Sequence, residues 1–384
     1  MMTTRSEGTG PLSGLKVVEI AGIGPAPHAC MLLADLGADI IRIERRGGDP
    51  LGGGPTDFLT RGRPSVALDL KHPAAVGTVL DLVEQADLLV EGMRPGTMER
   101  LGLGPDACWK RNPGLVYGRM TGWGQTGPWA DSAGHDLTYI AVTGALDTFG
   151  QDPNRPHFPS NLVGDFGGGS TYLVIGLLAA LHEASSSGRG QVVDAAIVDG
   201  TAHLNAMASG FRAAGQLQLR RASNLLDGGQ PYYDVYETAD GRHVAVGALE
   251  PKFYAELVRR LALEDLPDRS DPGSSDEIRR RLAAAFASQP LAHWQEVFAG
   301  TDACVAPVLT LDEAPHHPHL AARGVFVEVD GHVQPAPAPR FSRTPAELTT
   351  PPAAEPGQHT RAALEAWGVT DVDALLATGA AVQA

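Results

Sequence analysis

Leu15-Lys16-Val17-Val18-Glu19-Ile20-Ala21-Gly22-Ile23-Gly24-Pro25, followed past Gly37 by Asp39-Ile40-Ile41-Arg42-Ile43, is the stretch that decides the fold. Leu15 to Ile20 reads as a buried strand. Pro25 then opens a helix to Leu36, because a proline in a first helical turn lacks only an N–H that would be unpaired there. Gly37 stops the helix, and Asp39 to Ile43 is the next strand. A strand, a crossover helix and a second strand make a βαβ unit, and that implies a parallel sheet.

The alternation continues outward. Ser65 to Leu70 reads as a strand, Ala74 to Gln85 as a helix, Asp87 to Glu91 as a strand and Leu115 to Met120 as another. Further on come a helix over Ser170 to Ala184, a strand over Gln191 to Ala195 and a helix over Val198 to Ala214. The loops Gly92-Met93-Arg94-Pro95-Gly96 and Thr121-Gly122-Trp123-Gly124-Gln125-Thr126-Gly127-Pro128 follow strands, on the edge where open α/β sheets bind ligands. Gly22-x-Gly24-x-x-Pro27 has no third glycine, so a dinucleotide fingerprint is disfavoured. The texture changes after residue 221. Tyr232 to Thr238 and Arg242 to Ala248 read as a hairpin about Ala239-Asp240-Gly241. Helices starting at Glu250-Pro251, over Glu277 to Ser288 and over Leu291 to Ala299 complete a second, smaller α+β domain. Pro335 to Pro339 reads as an extended connector, and Thr360 to Leu376 as one amphipathic helix packing back on the first domain. The expected division is 1–200 with 325–384 for the large domain, 222–315 for the small one, and linkers at 201–221 and 316–324.

Composition limits the function. Over 384 residues, 30 basic against 45 acidic side chains leave a formal charge of −15. That disfavours general nucleic-acid binding, which needs a basic surface. Cys30, Cys108 and Cys304 show neither a disulfide framework nor a zinc spacing, which fits a reducing, cytoplasmic setting. Residues 1–10 lack the apolar core of a signal peptide and read as a frayed terminus. The apolar run from Tyr172 to Leu181 is too short to span a bilayer.

Two segments carry proton-transfer groups beside glycines: Gly134-His135-Asp136 and Asn161-Leu162-Val163-Gly164-Asp165-Phe166-Gly167-Gly168-Gly169. Glycines let a backbone approach a ligand closely. His135 titrates near neutrality and suits a general base; it would equally cap a helix. Asp165 suits an acid or base, or an anion at a helix start. Glu250 precedes a helix-opening proline and reads as an ionised helix-start acid. Arg42, Arg45, Arg46, Arg94 and Arg100 are either a phosphate-gripping set or solvated charges.

Taken together these residues resemble the family III CoA-transferase group and, within it, the α-methylacyl-CoA racemases. The resemblance runs from Pro11-Leu12-Ser13-Gly14-Leu15 to Pro339-Arg340-Phe341-Ser342. It passes through Leu36-Gly37-Ala38-Asp39, Arg94-Pro95-Gly96, Arg100-Leu101-Gly102-Leu103-Gly104 and Gly122-Trp123-Gly124-Gln125-Thr126-Gly127-Pro128. Gly134-His135-Asp136 and Asn161 to Phe166 are closer to the racemase pattern.

The resemblance implies a Rossmann-like large domain plus a smaller α+β domain, long linkers and an interlaced homodimer. Its active site is shared between chains, with neither nucleic acid nor membrane as a partner. It implies His135 and Asp165 as an acid–base pair, with Glu250 supporting His135 from the other chain. CoA contacts map onto Arg45, Leu68, Asp69, Leu70, Lys71, Gly92, Met93, Arg94, Arg100, Gly134 and Tyr139; Met93 stands where an aromatic residue is frequent.

The implied reaction interconverts (2R)- and (2S)-2-methylacyl-CoA by removal of the α-proton and its return on the opposite face. CoA is then part of the substrate, and neither a metal nor a separate cofactor is expected. Such an enolate needs N–H donors aimed at the thioester oxygen, and the backbone N–H of Asp136 is the candidate. The alternative is a CoA-transferase with Asp165 as nucleophile, which has no evident need of a His135–Glu250 pair.

Overall fold

The structure is a computed structural model that describes residues 9–48, 52–263, 265–271, 273–348 and 350–384. Residues 1–8, most of the segment read as frayed, lie outside the described residues. The chain divides into two compact units. The first comprises the described residues up to Thr143, Ser160–Leu204 and Ala322–Ala384; the second comprises Gly144–Pro159 and Asn205–Ala321.

The first unit begins with β1 (Lys16–Ile20), α1 (Pro25–Asp35), β2 (Asp39–Glu44), β3 (Ser65–Leu68), α2 (Pro73–Val83) and β4 (Leu88–Glu91). Next come α3 (Thr97–Arg100), α4 (Pro105–Trp109), β5 (Val116–Thr121) and α5 (Asp136–Val142). A π-helix, Leu162–Ser170, runs into α6 (Thr171–Ser187), followed by β6 (Val192–Ala196) and α7 (Ile197–Leu204).

The sheet order is β12-β3-β2-β1-β4-β5-β6, parallel except for β12 (Ala381–Val382), which pairs antiparallel with β3. Strand order reverses on either side of β1, so the loops after β1 and β4 part there and leave a crevice at the strand carboxyl ends. Val17 and Ile40 enter one apolar cluster with α1 and α6, while Val18 and Ile41 enter the other with α2. Both faces are therefore covered, which is why most of the buried positions on these strands are apolar, Glu19 and Arg42 being charged exceptions.

In the second unit α8 (Ala206–Ala213) precedes an antiparallel sheet of β7 (Tyr233–Glu237), β8 (His243–Gly247) and β9 (Val305–Pro307). Helices α9 (Pro251–Arg260), α10 (Ser274–Phe286) and α11 (Leu291–Phe298) pack on it through Leu257, Phe286, Trp294 and Phe298. Arg221 explains why residues 144–159 belong here: it donates to the carbonyls of Asp147, Asp152 and Pro153 at 2.8–3.1 Å. The remaining elements are α12 (Pro318–Ala322), a hairpin of β10 (Phe326–Val329) and β11 (His332–Pro335), α13 (Thr360–Ala366) and α14 (Val372–Thr378).

Three sequence expectations need correction. The helix read over Val198 to Ala214 is two, α7 and α8, parted at Asn205. The terminal helix is also two, parted at Gly368 (φ 84°), a backbone region that a side chain disfavours. The helix expected from Ser170 begins eight residues earlier, at Leu162. As a result Leu162–Ser187 is a continuous helix of 26 residues, long and apolar enough by length and composition to cross a membrane. It packs instead along the sheet, burying Leu173, Leu177 and Ala180 against β5, β6 and α1.

Candidate active site

Asp165 sits one turn into the π-helix, half-buried beside the crevice where strand order reverses. Its Oδ2 lies 3.4 Å from where a Cβ on Gly24 would stand. Gly24 has φ 66° and ψ −115°, so it turns the chain from β1 into α1 and keeps that wall bare. The other glycines do something different from the ligand approach expected of them. A Cβ on Gly168 would meet Thr201 of α7, and one on Gly200 would run into the Gly168 carbonyl. These glycines let two backbones touch, which anchors the π-helix.

A π-helix here has a physical cause. Its i→i+5 bonding widens the turn and often marks functional positions. At its far end Ser170 and Thr171 hydroxyls both donate to the Phe166 carbonyl, at 3.0 and 2.9 Å. His28 of α1 stacks on Phe166 with ring centroids 4.4 Å apart, and its Nδ1 meets Ser170 Oγ at 2.6 Å. Burial foremost, then the Arg61 and Arg63 charges, lower the His28 pKa to about 4, so this ring stays neutral near pH 7.

His135 is the N-cap residue of α5 with an exposed side chain; its N–H donates to Thr138 Oγ1 at 3.0 Å. The capping and general-base readings are thus compatible, since the backbone caps while the ring faces outward. Asp136 follows as the first residue of α5, and its buried Oδ1 accepts the Asp165 N–H at 2.7 Å. The structure therefore brings the His135-Asp136 segment and Asp165 together.

The Asp165 carboxyl is raised above its ordinary value. Burial is the main cause, an Asn161 Nδ2 hydrogen bond at 3.2 Å opposes it, the Asp136 charge adds to it and the His135 charge subtracts. Tyr139 is 9% exposed and its ring lies across Gly122 and Gly134, at either of which a Cβ would collide with it. Its phenol is raised by burial and by Asp165 and lowered by Arg94, so those two charges reach the same group.

The expected CoA contacts fall into three kinds. Arg45, Asp69, Lys71, Gly92, Arg94 and Arg100 are exposed, following β2, β3 or β4 or lying on α3. Arg45 Nε donates to the Gly48 carbonyl at 2.7 Å and Arg100 to Thr97 Oγ1 at 2.9 Å, so each is partly held in place. Leu70, Met93 and Gly134 are half-buried. Leu68 is different: its side chain is 1% exposed in the core, which leaves only its backbone to offer a ligand. Arg42, read as one of the possible phosphate grips, is instead buried on β2, paired with Glu19 and with Glu44 at 3.7 Å. Glu250 belongs to the second unit, where it is the N-cap residue of α9.

Sequence reading missed the residues that brace the loop after β4. Glu91, 2% exposed, accepts the Met93 N–H at 2.6 Å and faces Arg119 Nε at 3.2 Å. Arg119 continues to Glu99 on α3 and to Gln125 Oε1 at 3.1 Å, so one guanidinium ties the end of β4, α3 and the loop after β5 together. Burial is the main cause that lifts the Glu91 carboxyl to about 7. A glutamate ending a strand immediately before Gly92 was the available signal. Asn161 was equally legible, since it stands four residues before Asp165. Among the described residues no cluster of His, Cys, Asp or Glu is built to hold a metal ion.

Comparison with known proteins identifies relatives of this chain. The chain is 42% identical over 368 residues to the α-methylacyl-CoA racemase of Mus musculus, covering 95% of each. It is 39% identical over 360 residues to that of Homo sapiens, covering 93% of each. The crystal structure of a CaiB/BaiF family protein from Brucella suis superposes with a TM-score of 0.78 at 25% identity, covering 94% of this chain and all of that one. The sequence pattern of CoA-transferase family III matches residues 12–360, and the chain belongs to that family.

Proposed function

We propose that this enzyme is an isomerase that interconverts (2R)- and (2S)-2-methylacyl-CoA thioesters. One observation carries the reading: His135 and Asp165 come from separate elements, yet Asp136 joins their backbones at the crevice. The relatives described above are racemases, which favours epimerisation over CoA transfer through an Asp165 nucleophile.

The chemistry follows from acidity. A proton beside a thioester is far less acidic than either side chain, so its removal needs an enolate held by N–H donors. The Asp136 N–H, unpaired in a first helical turn, is assigned to that oxygen. His135 and Asp165 take opposite faces of the planar enolate, one removing the proton and the other returning one. The raised Asp165 carboxyl serves both roles better than an ordinary aspartate, because its proton affinity is closer to working pH.

Glu250 is assigned to support His135 from the small domain of a second chain in an interlaced homodimer. The apolar side chains exposed on the first unit support a covering partner: Trp129, Val142, Leu162, Ile175 and Leu204 are 49–63% exposed. Residues 201–221 and 316–324 then serve as linkers between the two domains. Arg45, Asp69, Lys71, Arg94 and Arg100 are assigned to CoA with the backbones of Leu68, Leu70, Gly92 and Gly134 and the side chains of Met93 and Tyr139. CoA enters as part of the substrate, and the reading assigns no cofactor, no metal, no nucleic acid and no membrane, with the protein in the cytoplasm.

The test is to incubate one enantiomer of a 2-methylacyl-CoA in deuterated water with no acceptor carboxylate. Deuterium at the α-carbon together with the opposite epimer is the expected result. Absence of exchange, with CoA passed to an added carboxylate, would replace the racemase by the transferase.

A further inference from the structure

The geometry points to the Asp136 carboxylate, as distinct from its N–H, as a positioning group for Asp165: it caps the π-helix and sets a second anion against the reacting one. The inference rests on the acid–base role of Asp165 given above.

Three observations carry it. First, the side chain is 7% exposed, and its Oδ1 accepts the Asp165 N–H at 2.7 Å. The Gly164 N–H also acts on the same carboxylate and favours its charged form. These donors lie in the first turn of the π-helix, where no intrahelical carbonyl can reach them. Second, residue 164 is made for this contact. A Cβ there would overlap Asp136 Oδ1 and press on Ile140 at 2.8 Å, so only glycine lets the carboxylate reach the helix end. Third, Asp136 is covalently next to His135 and hydrogen-bonded to the backbone of Asp165. One residue thereby sets the spacing of both bases, and a shift of either segment would be passed to the other.

The charge matters as well as the bond. A carboxamide at 136 would still offer an acceptor oxygen to the two N–H groups. It would not repel a negative charge on Asp165. The Asp136 charge raises the proton affinity of Asp165, on top of the larger effect of burial, while His135 opposes it. Ionisable groups also stand on the other elements packed around the π-helix. His28 of α1 is turned to Phe166 and Ser170; Tyr172 of α6 bonds His203 of α7; Asp199 lies on α7, Asp194 on β6 and Arg119 on β5; Tyr139 shares α5. The charges acting directly on Asp165 are those of Asp136 and His135, both from the start of α5.

The experiment compares Asp136→Asn, Gly164→Ala and Asp165→Asn by α-proton exchange from each epimer across pH, with thermal unfolding in parallel. Asp136→Asn is expected to fold like the parent and to lose roughly 10- to 100-fold in kcat, with KM within about twofold. In the direction in which Asp165 removes the proton, the acidic limb of kcat/KM should move to lower pH, because a repelling charge has gone. Gly164→Ala leaves Asp136 intact but drives it from the helix end. It should lower kcat and move that limb the same way, which keeps the test alive if the asparagine variant does not fold. Parent-like kcat with an unmoved acidic limb in a folded variant would overturn the proposal, as would a change in KM alone. Full exchange by Asp165→Asn would instead remove the acid–base reading of Asp165, and the inference with it.

Discussion

Two of the buried carboxylate groups in the first unit are held in opposite ways. Between β1 and β2, Glu19 is fully buried between Arg42 and Arg63, with Arg63 Nε 2.9 Å from Glu19 Oε2. At the crevice, Asp136 and Asp165 meet backbone N–H groups and an Asn161 amide, and the Asp165 carboxyl rises above its ordinary range. Guanidinium groups around a carboxylate favour its charged form. One held by neutral donors, with another anion beside it, is left able to pick up and release a proton. The contrast separates residues that hold the fold from residues that do chemistry, even though both are buried acids.

The largest expected effect breaks the chemical side. His135→Ala and Asp165→Ala should each lower epimerisation by about 10²- to 10⁴-fold. Both should keep CoA affinity, measured by calorimetry, and unfold at the parent temperature. Parallel loss of folding would move Asp165 to the structural side of the comparison.

Breaking the other side should show in stability. Glu19→Gln strands two buried arginines, and loss of one partner of a buried pair costs about 3–5 kcal/mol. Urea unfolding measures it. A loss of activity without that loss of stability would mean that the Glu19 cluster acts on the site as well.

Arg94→Ala comes next. Its target is CoA rather than the reacting carbon, so KM should rise roughly tenfold, about 1.4 kcal/mol, with kcat little changed. An unchanged KM would remove Arg94 from the CoA contacts.

The smallest effect sharpens the comparison through His28. Its folded pKa of about 4 lies below the ordinary 6.5, so the neutral form is favoured in the fold. The stability this contributes is present above pH 6.5 and is lost as pH falls through 4. His28→Phe keeps a ring against Phe166 and removes the titration. Melting temperature measured between pH 7 and pH 4 should fall less in the variant than in the parent. An equal fall would assign acid sensitivity to the carboxylates instead.

Much of this was open to sequence reading because it is written in local periodicity. The alternation of β1, α1 and β2, the hairpin of β7 and β8, and the proline that opens α9 are each set by neighbouring residues. The same local logic failed where a break was subtle, as at Asn205 and Gly368, and where composition misled. Residues 162–170 contain four glycines, and the sequence reading starts a helix only at Ser170, yet they form a π-helix that α7 and Asp136 hold there.

By itself the sequence determined the parallel α/β sheet with its smaller antiparallel partner, and it marked His135 and Asp165 as proton-transfer groups. Those depend on spacing, turn residues and side-chain chemistry, all of which are local. Only the tertiary structure decided that Arg42 points into a buried ion cluster, that Glu91 braces the loop after β4, and that the Asp136 carboxylate reaches across to the backbone of Asp165. The physical reason is that such partners lie on different elements. Which side chain fills a neighbour's gap is fixed by packing, and packing leaves no mark on the spacing of residues along one strand or helix.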